Sequence, residues 1–482
     1  MVIAIDAVTQ SVPSSRRRWT VLAICASAMF LVGLDTTIVN VALPQIGKGL
    51  DADTRGLEWV VNAYTVTLAS LLITSGALAD RIGRRRIFLT GLILFGAATL
   101  ACAVAPTLGT LIAARVVQGA GASMLSPVAL AIVVNTMPDP AERAKAIGVW
   151  ASVFGLSMAV GPVTGGMLIA VAGWRAVFWG TVPLVLVAIV AVRMYVPESR
   201  GQRARQVDVP GQVLLAMFLG AAIWVLVQGP VIGWGSLPAV AGYIVTVSAF
   251  AGFISVELRR AEPLMDLGLF RRPNFTGAVV GAVAVFVALN VTLLLSTLYF
   301  QQVRGWAPLN AGAIVLPLAT GAALCAPLSG MLVSRIGPRI PLAIAGVFTL
   351  LGGVCMTALG NDTTYVTVLA AYVLIGIGFG FANAPITNTA ISGLPADRAG
   401  VAAGTTSTAR QLGSAVGIAI AGGLAAGASP FDLADVIRPG WLVVGLCGLL
   451  LLLVAYSSTR RQHPIDFASH SARADTDRSA GR

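Results

Sequence analysis

Two ionisable side chains of opposite sign, Asp35 and Arg115, stand inside long apolar runs of the chain. A charge at the centre of a bilayer-spanning helix costs about 2.5–3.5 kcal/mol even on the lenient insertion scale, so such residues tend to be functional or paired. The chemistry open to them is proton exchange. Desolvation and a neighbouring cation pull a carboxyl's proton affinity in opposite directions, which poises Asp35 to load and release a proton. Asp35 lies about eight residues, and Arg115 about six, from the same ends of their runs, so at 1.5 Å per residue their depths nearly coincide. An ion pair broken by protonation fits this placement, and so does a permanent salt bridge that only ties two spans together. A second cation, Arg410, falls near the middle of its own run. Asp35 is the one carboxylate that this reading puts well inside a span, which leaves a dicationic substrate without a spare counter-charge and favours neutral, zwitterionic or anionic amphiphiles.

Other chemistries are excluded by residue type. His463 and His470 lie in the polar C-terminal stretch, so histidine ligation of haem or a histidine base within a membrane has no candidate. Cys25, Cys102, Cys325, Cys355 and Cys447 fall in apolar runs without a C-x-x-C pair and read as small core hydrophobes. Gly376-Ile-Gly378-Phe-Gly380 has neither a preceding strand nor a following acid and reads as packing. Neither Lys48 nor Lys145 has the glycine spacing of a Walker loop. Neither an enzyme, nor an ATP-driven pump, nor a bound cofactor or metal is expected.

The elements that must hold Asp35 and Arg115 follow from composition. Of 482 residues, 57% are hydrophobic and 11% charged, with a mean hydropathy of +0.86. A soluble fold, with charged residues near 25%, is excluded. Fourteen runs are long enough to span a bilayer as helices of about 20 residues, from the first near 19–43 and the second near 57–78 to the thirteenth near 399–425 and the last near 437–457. The first run is too long for a signal peptide and carries Asp35, so it stays as a helix. Of the 32 Lys and Arg residues, 25 fall on one side of the alternating loops and five on the other. That bias places both termini in the cytoplasm, and it accounts for the net charge of +12 without a nucleic-acid partner.

The chain also repeats itself. Gly76-Ala-Leu-Ala-Asp80-Arg81-Ile-Gly83-Arg84-Arg85 returns 254 residues later as Gly330-Met-Leu-Val-Ser334-Arg335-Ile-Gly337-Pro338-Arg339, and Pro140-Ala-Glu142-Arg143 returns as Pro395-Ala-Asp397-Arg398. Duplication gives an all-α integral membrane fold: fourteen transmembrane helices, in two pseudo-symmetric six-helix bundles with two helices inserted between them. The expected division is a cytoplasmic N-terminus over 1–18, a first bundle over 19–196, the extra helices over 197–273, a second bundle over 274–457 and a disordered cytoplasmic tail over 458–482.

These segments resemble the major facilitator superfamily, in particular its fourteen-helix drug:proton antiporter branch. The resemblance is carried by Leu34-Asp35-Thr36-Thr37 through Pro44, Gly76 to Arg86, Arg115 with Gln118-Gly119 and Gly121, Gly155 with Gly161-Pro162, Gly165 and Gly166, Gly173-Trp174-Arg175, Tyr299-Phe300-Gln301-Gln302 and Arg410-Gln411-Leu412-Gly413. Thr181 stands where the branch often has Asn, and Ser334 replaces the acid of the second-half loop. The resemblance implies proton coupling at Asp35 and Arg115. It implies a gating loop of Gly76, Asp80, Arg81, Gly83 and Arg84, in which Asp80 meets a helix start in the other half, near Ala399. Gly155, Gly161, Pro162, Gly165 and Gly166 would be the antiporter motif of exporters.

Polar and aromatic residues inside spans are the candidates for contact with substrate: Asn62, Tyr64, Gln118, Trp150, Phe154, Asn290, Tyr299, Asn383 and Arg410. The function expected is proton-driven export of small amphipathic drugs or antibiotics by a functional monomer in the bacterial plasma membrane, its partners being substrate, protons and lipid. Proton-coupled uptake of a metabolite is the nearest alternative, disfavoured by Gly161-Pro162. A receptor or scaffold without flux is the alternative of another class.

Overall fold

The computed structural model describes residues 15–137, 139–201, 208–260, 263–360, 363–392, 394, 396–426 and 432–457, with backbone alone over parts of 140–159 and over 396–400. The expectation for the tail at 458–482 lies outside the described residues. Among those residues the chain is helical throughout. With pieces joined across a short irregularity taken together, the helices are α1 (Ser15–Leu50), α2 (Thr54–Ile82), α3 (Arg84–Ala103), α4 (Leu108–Thr136), α5 (Pro140–Ala172), α6 (Ala176–Tyr195) and α7 (Val209–Ile232). They continue with α8 (Leu237–Arg259), α9 (Pro273–Val303), α10 (Pro308–Ile336), α11 (Arg339–Met356), α12 (Tyr365–Ile391), α13 (Ala396–Ala425) and α14 (Leu433–Ser457).

Among the described residues, twelve of these are long and apolar enough to cross a membrane. In α5 the described residues include the apolar stretch Val160–Ala172. The starts and ends of the helices also differ from the run boundaries. α1, at 36 residues, extends through Pro44 to Leu50, about 54 Å at 1.5 Å per residue. α2 starts at Thr54 rather than at 57, because the Asp53 carboxylate accepts from the Gly56 amide at 2.9 Å and caps the helix there. Thr107, Asp139, Asp208 and Ser236 cap α4, α5, α7 and α8 in the same way.

Packing repeats along the chain. α1 packs on α5 and α6, α2 and α3 pack on α4, and α3 packs on α6. Eight helices later, α9 packs on α13 and α14, α10 and α11 pack on α12, and α11 packs on α14. Two seams join these groups, α2 against α13 and α5 against α10. α7 packs on α8 and lies across the first seam: Ile223 and Val227 share a core with Ala415 and Ala419 of α13 and with Trp59 and Val66 of α2. The Gln212 amide of α7 donates to the Ser70 carbonyl at 2.6 Å, and its carbonyl oxygen accepts from the Thr74 hydroxyl.

Candidate functional site

Asp35 and Arg115 meet. Arg115 Nη1 donates to Asp35 Oδ2 at 2.6 Å, and both side chains are buried, at 0% and 1% exposed. The pair is part of a larger cluster built on four helices. Gln118, one turn along α4 from Arg115, donates from Nε2 to Asp35 Oδ1 at 2.9 Å and to Thr99 Oγ1 of α3 at 2.9 Å, while its Oε1 accepts from Arg115 Nη1 at 2.6 Å. Arg115 Nε donates to the Val60 carbonyl of α2 at 3.0 Å, and the guanidinium lies 4.3 Å above the Tyr64 ring. Gln118 and Tyr64, grouped by sequence with the substrate candidates, therefore stand around the ion pair.

The acceptors around Arg115 decide what the cluster can do. A buried cation stripped of its partner is a large penalty, about 3–5 kcal/mol. Besides Asp35, Arg115 has the Val60 carbonyl and Gln118 Oε1 as acceptors and the Tyr64 ring against its face, while its Nη2 has no partner among the described residues.

The glycines of α5 lock that helix to the same region. A β-carbon at Gly161 would collide with Thr37 Oγ1, and one at Gly165 would lie 2.7 Å from Ile38 Cγ1. Both contacts are with α1, two and three residues beyond Asp35. On its other side α5 meets the start of α10: a β-carbon at Gly166 would lie 2.6 Å from the Leu309 Cα, and Gly312 packs on the Pro162 carbonyl. Gly155 and Phe154 lie on α5, but their side chains are outside the described residues. Trp150 is half-buried, and its indole N–H has no partner among the described residues.

The loop between α2 and α3 is tied within its own group of helices. Asp80 accepts from Arg84 Nη2 at 2.8 Å, and its carbonyl accepts from the Gly201 amide at 3.0 Å. Gly83 adopts φ +133°, a conformation suited to glycine, with the Glu198 carboxylate against it. Gly76 packs near Pro127, and Arg81 is exposed. The side chains at the start of α13, near Ala399, lie outside the described residues.

The remaining candidates are spread out. Asn62 is buried with no partner at either amide atom among the described residues. Asn290 of α9 donates to Ser414 Oγ of α13 at 3.0 Å and to its own helix at Phe286. Asn383 bonds back to the Phe379 carbonyl at 3.4 Å. Tyr299 closes α9 by donating to the Gly360 carbonyl at 2.7 Å. Arg410 donates from Nη2 to Thr387 Oγ1 at 2.6 Å; its Nε has no partner and no acid pairs with it among the described residues.

Residues 25–418 match the Major Facilitator Superfamily. The chain belongs to this superfamily. As a member, it is 37% identical over 398 residues to the multidrug resistance protein Stp of Mycobacterium tuberculosis, which spans 83% of this chain and 74% of that one. It is 35% identical to the methylenomycin A resistance protein of Streptomyces coelicolor, over 92% of this chain and 93% of that one. Its fold matches the crystal structure of a bacterial homologue of the human lysosomal transporter Spinster, captured inward-facing and unoccupied, with a TM-score of 0.65 at 16% identity over 94% of this chain and 100% of that one. The superfamily and the membrane-crossing helices make it a multi-pass plasma-membrane transporter.

Sequence reading missed two buried polar residues. Thr99 looks like an ordinary small residue of α3 until Gln118 bonds to it. Glu58 stands second in the run expected at 57–78 and reads as an end residue, whereas it is buried at 1% exposed. The signal available was Asp53, whose capping position starts α2 early enough to carry Glu58 inside.

Proposed function

We propose that this member of the superfamily is a proton-coupled antiporter of its fourteen-helix drug branch, exporting small amphipathic drugs or antibiotics across the bacterial plasma membrane by alternating access. Drug export rests on the relatives, named for resistance and efflux. Proton coupling rests on one observation, the buried Asp35–Arg115–Gln118 cluster, in which Arg115 has acceptors besides Asp35. In this reading α1–α6 (19–196) and α9–α14 (274–457) are two halves that rock about the α2–α13 and α5–α10 seams, with α7 and α8 (197–273) inserted; the recurrence of the same pairings eight helices apart supports it. A proton enters at Asp35 from outside and leaves inward, the protein working as a monomer in lipid. The antiporter motif holds α5 against α1 and α10, and the Asp80 loop steadies the cytoplasmic face.

The test is substrate accumulation in an efflux-deficient host with and without a protonophore. Low accumulation that rises on uncoupling is the expected result. The reverse indicates uptake, and no response indicates a protein without flux.

Orientation follows the 25:5 distribution of cations. Reporter fusions after residues 205 and 460 are both expected to report cytoplasm, and a periplasmic signal at either overturns the topology.

Arg410 supplies the charge preference of the cavity in this proposal, since no described acid offsets it. Arg410→Ala is expected to lower export of anionic amphiphiles about tenfold, the loss of roughly one charge-assisted contact of 1.4 kcal/mol, with neutral analogues within twofold. Equal losses for both classes in proteoliposomes would assign Arg410 to packing.

A further inference from the structure

Glu58 is a carboxylate that the coupling cluster does not use. It lies in the second turn of α2, 1% exposed, and both carboxylate oxygens lack a hydrogen-bond partner among the described residues. Its surroundings come from three other helices: Leu43 of α1, Leu294 and Leu298 of α9, and Gly422 of α13, together with Thr54 and Leu57 of its own helix. The site depends on the glycine. A β-carbon at residue 422 would fall on the Glu58 carboxyl group, so that group occupies the room a side chain would take.

The charges near Glu58 are few. Asp53 and Arg55, at the start of its own helix, engage each other at 2.6 Å, and Arg55 Nη1 reaches Gln228 of α7 at 3.5 Å. Asp53 lies outside the span. Partial burial pushes its carboxyl up, but the Gly56 amide and the Arg55 guanidinium outweigh that and hold it below the usual carboxylate range. The contacts from α1, α9 and α13 bring no titratable side chain: Lys48 is at the exposed end of α1, and Arg410 lies twelve residues, roughly 18 Å, back along α13. An ionised carboxylate here would have no hydrogen-bond donor among the described residues, and the one cation near it, Arg55, is engaged by Asp53, an arrangement that burial penalises. A neutral carboxyl fits.

We propose that Glu58 is a second proton-binding site, a gate carboxylate that takes its proton from the outer face and holds it while the outer ends of α2 and α13 are together. This rests on the reading above that the two helices belong to halves that part, with the Glu58 end facing outward. When the seam opens, Glu58 meets water and ionises; before the seam closes, it takes a proton back. Proton binding is therefore linked to closure, and lowering the outer pH favours the closed seam. The proton arrives and leaves by the same face, so it is distinct from the one carried through Asp35.

The test is a distance measurement across the outer face by electron spin resonance, with spin labels at Lys48→Cys and Val436→Cys in nanodiscs and with Cys325 and Cys355 replaced by Ala. The wild-type ratio of short to long distances is expected to rise as pH falls from about 8.5 to 5.5, by up to tenfold per pH unit for a single linked proton. Glu58→Gln should hold the short distance at every pH, and Glu58→Asp should still titrate. Gly422→Ala, which fills the room the carboxyl needs, should favour the long distance throughout. The titration should survive Asp35→Asn. A pH-independent wild-type ratio, a Glu58→Gln protein that titrates like wild type, or loss of the titration in Asp35→Asn each overturns the proposal. Energised export by Asp35→Asn with the Glu58 titration intact would instead sink the coupling reading and leave this site standing.

Discussion

Replacing Asp35 with Asn is expected, on the proposed coupling, to collapse the substrate gradient to its passive value. One proton moving down 100 mV yields about 2.3 kcal/mol, which sustains roughly a fifty-fold concentration ratio at about 1.4 kcal/mol per tenfold. Asn keeps the shape of a protonated Asp35 and the bond from Gln118, but it cannot release a proton, so the ratio falls from tens toward one. The same change leaves Arg115 facing neutral acceptors only, the Val60 carbonyl and Gln118 Oε1. The protein should lose stability, up to the roughly 3–5 kcal/mol of a broken buried pair. Two readouts separate these effects. Asp35→Asn combined with Arg115→Gln should regain thermal stability without regaining export, measured by unfolding in detergent and by accumulation in proteoliposomes under an imposed proton gradient. An undiminished gradient in folded Asp35→Asn protein removes proton coupling from this site.

Gly161→Val should stop turnover in a protein that still inserts. Already its β-carbon meets Thr37 Oγ1, and the two methyl groups push further into α1 beside Ile38. Overpacking of this kind costs about 1–3 kcal/mol, and relief requires α5 to move off α1 within a turn of Asp35. Export is expected to fall more than tenfold. Gly109→Ala is the control, because nothing lies within 4 Å of a β-carbon there, and its export should match wild type. If Gly161→Val transports as well as that control, the close α1–α5 contact has no part in the cycle.

The elements were readable because the bilayer demands long apolar helices and marks their ends with arginines. Pairing Asp35 with Arg115 was readable from depth alone, as both residues count inward from the same face. Gln118 was not, since a glutamine one turn from an arginine is indistinguishable by type from one that faces a cavity; its bonds to Asp35 and Thr99 are made across three helices. Glu58 was misplaced for a local reason: hydropathy starts α2 at the first apolar residue, whereas the helix starts at its Asp53 cap. The hydrogen bond from the Tyr299 hydroxyl to the Gly360 carbonyl was not readable either, since its partner lies 61 residues along the chain.

The position of α7 has a consequence for how a lipid-soluble compound reaches the interior. Of the two contacts α2–α13 and α5–α10, the first is roofed by α7, which shares a core with both helices and is hydrogen-bonded to α2 through Gln212. At α5–α10 the helix that touches both members is α1, which packs along α5 and reaches the start of α10. A compound dissolved in the lipid therefore meets α7 before it reaches α2–α13, whereas at α5–α10 it meets the helices themselves, closed there by the contacts of Gly166 with Leu309 and of Gly312 with Pro162. Photolabelling from the lipid phase would read this directly, as adducts on α5 and α10 in excess of those on α2 and α13.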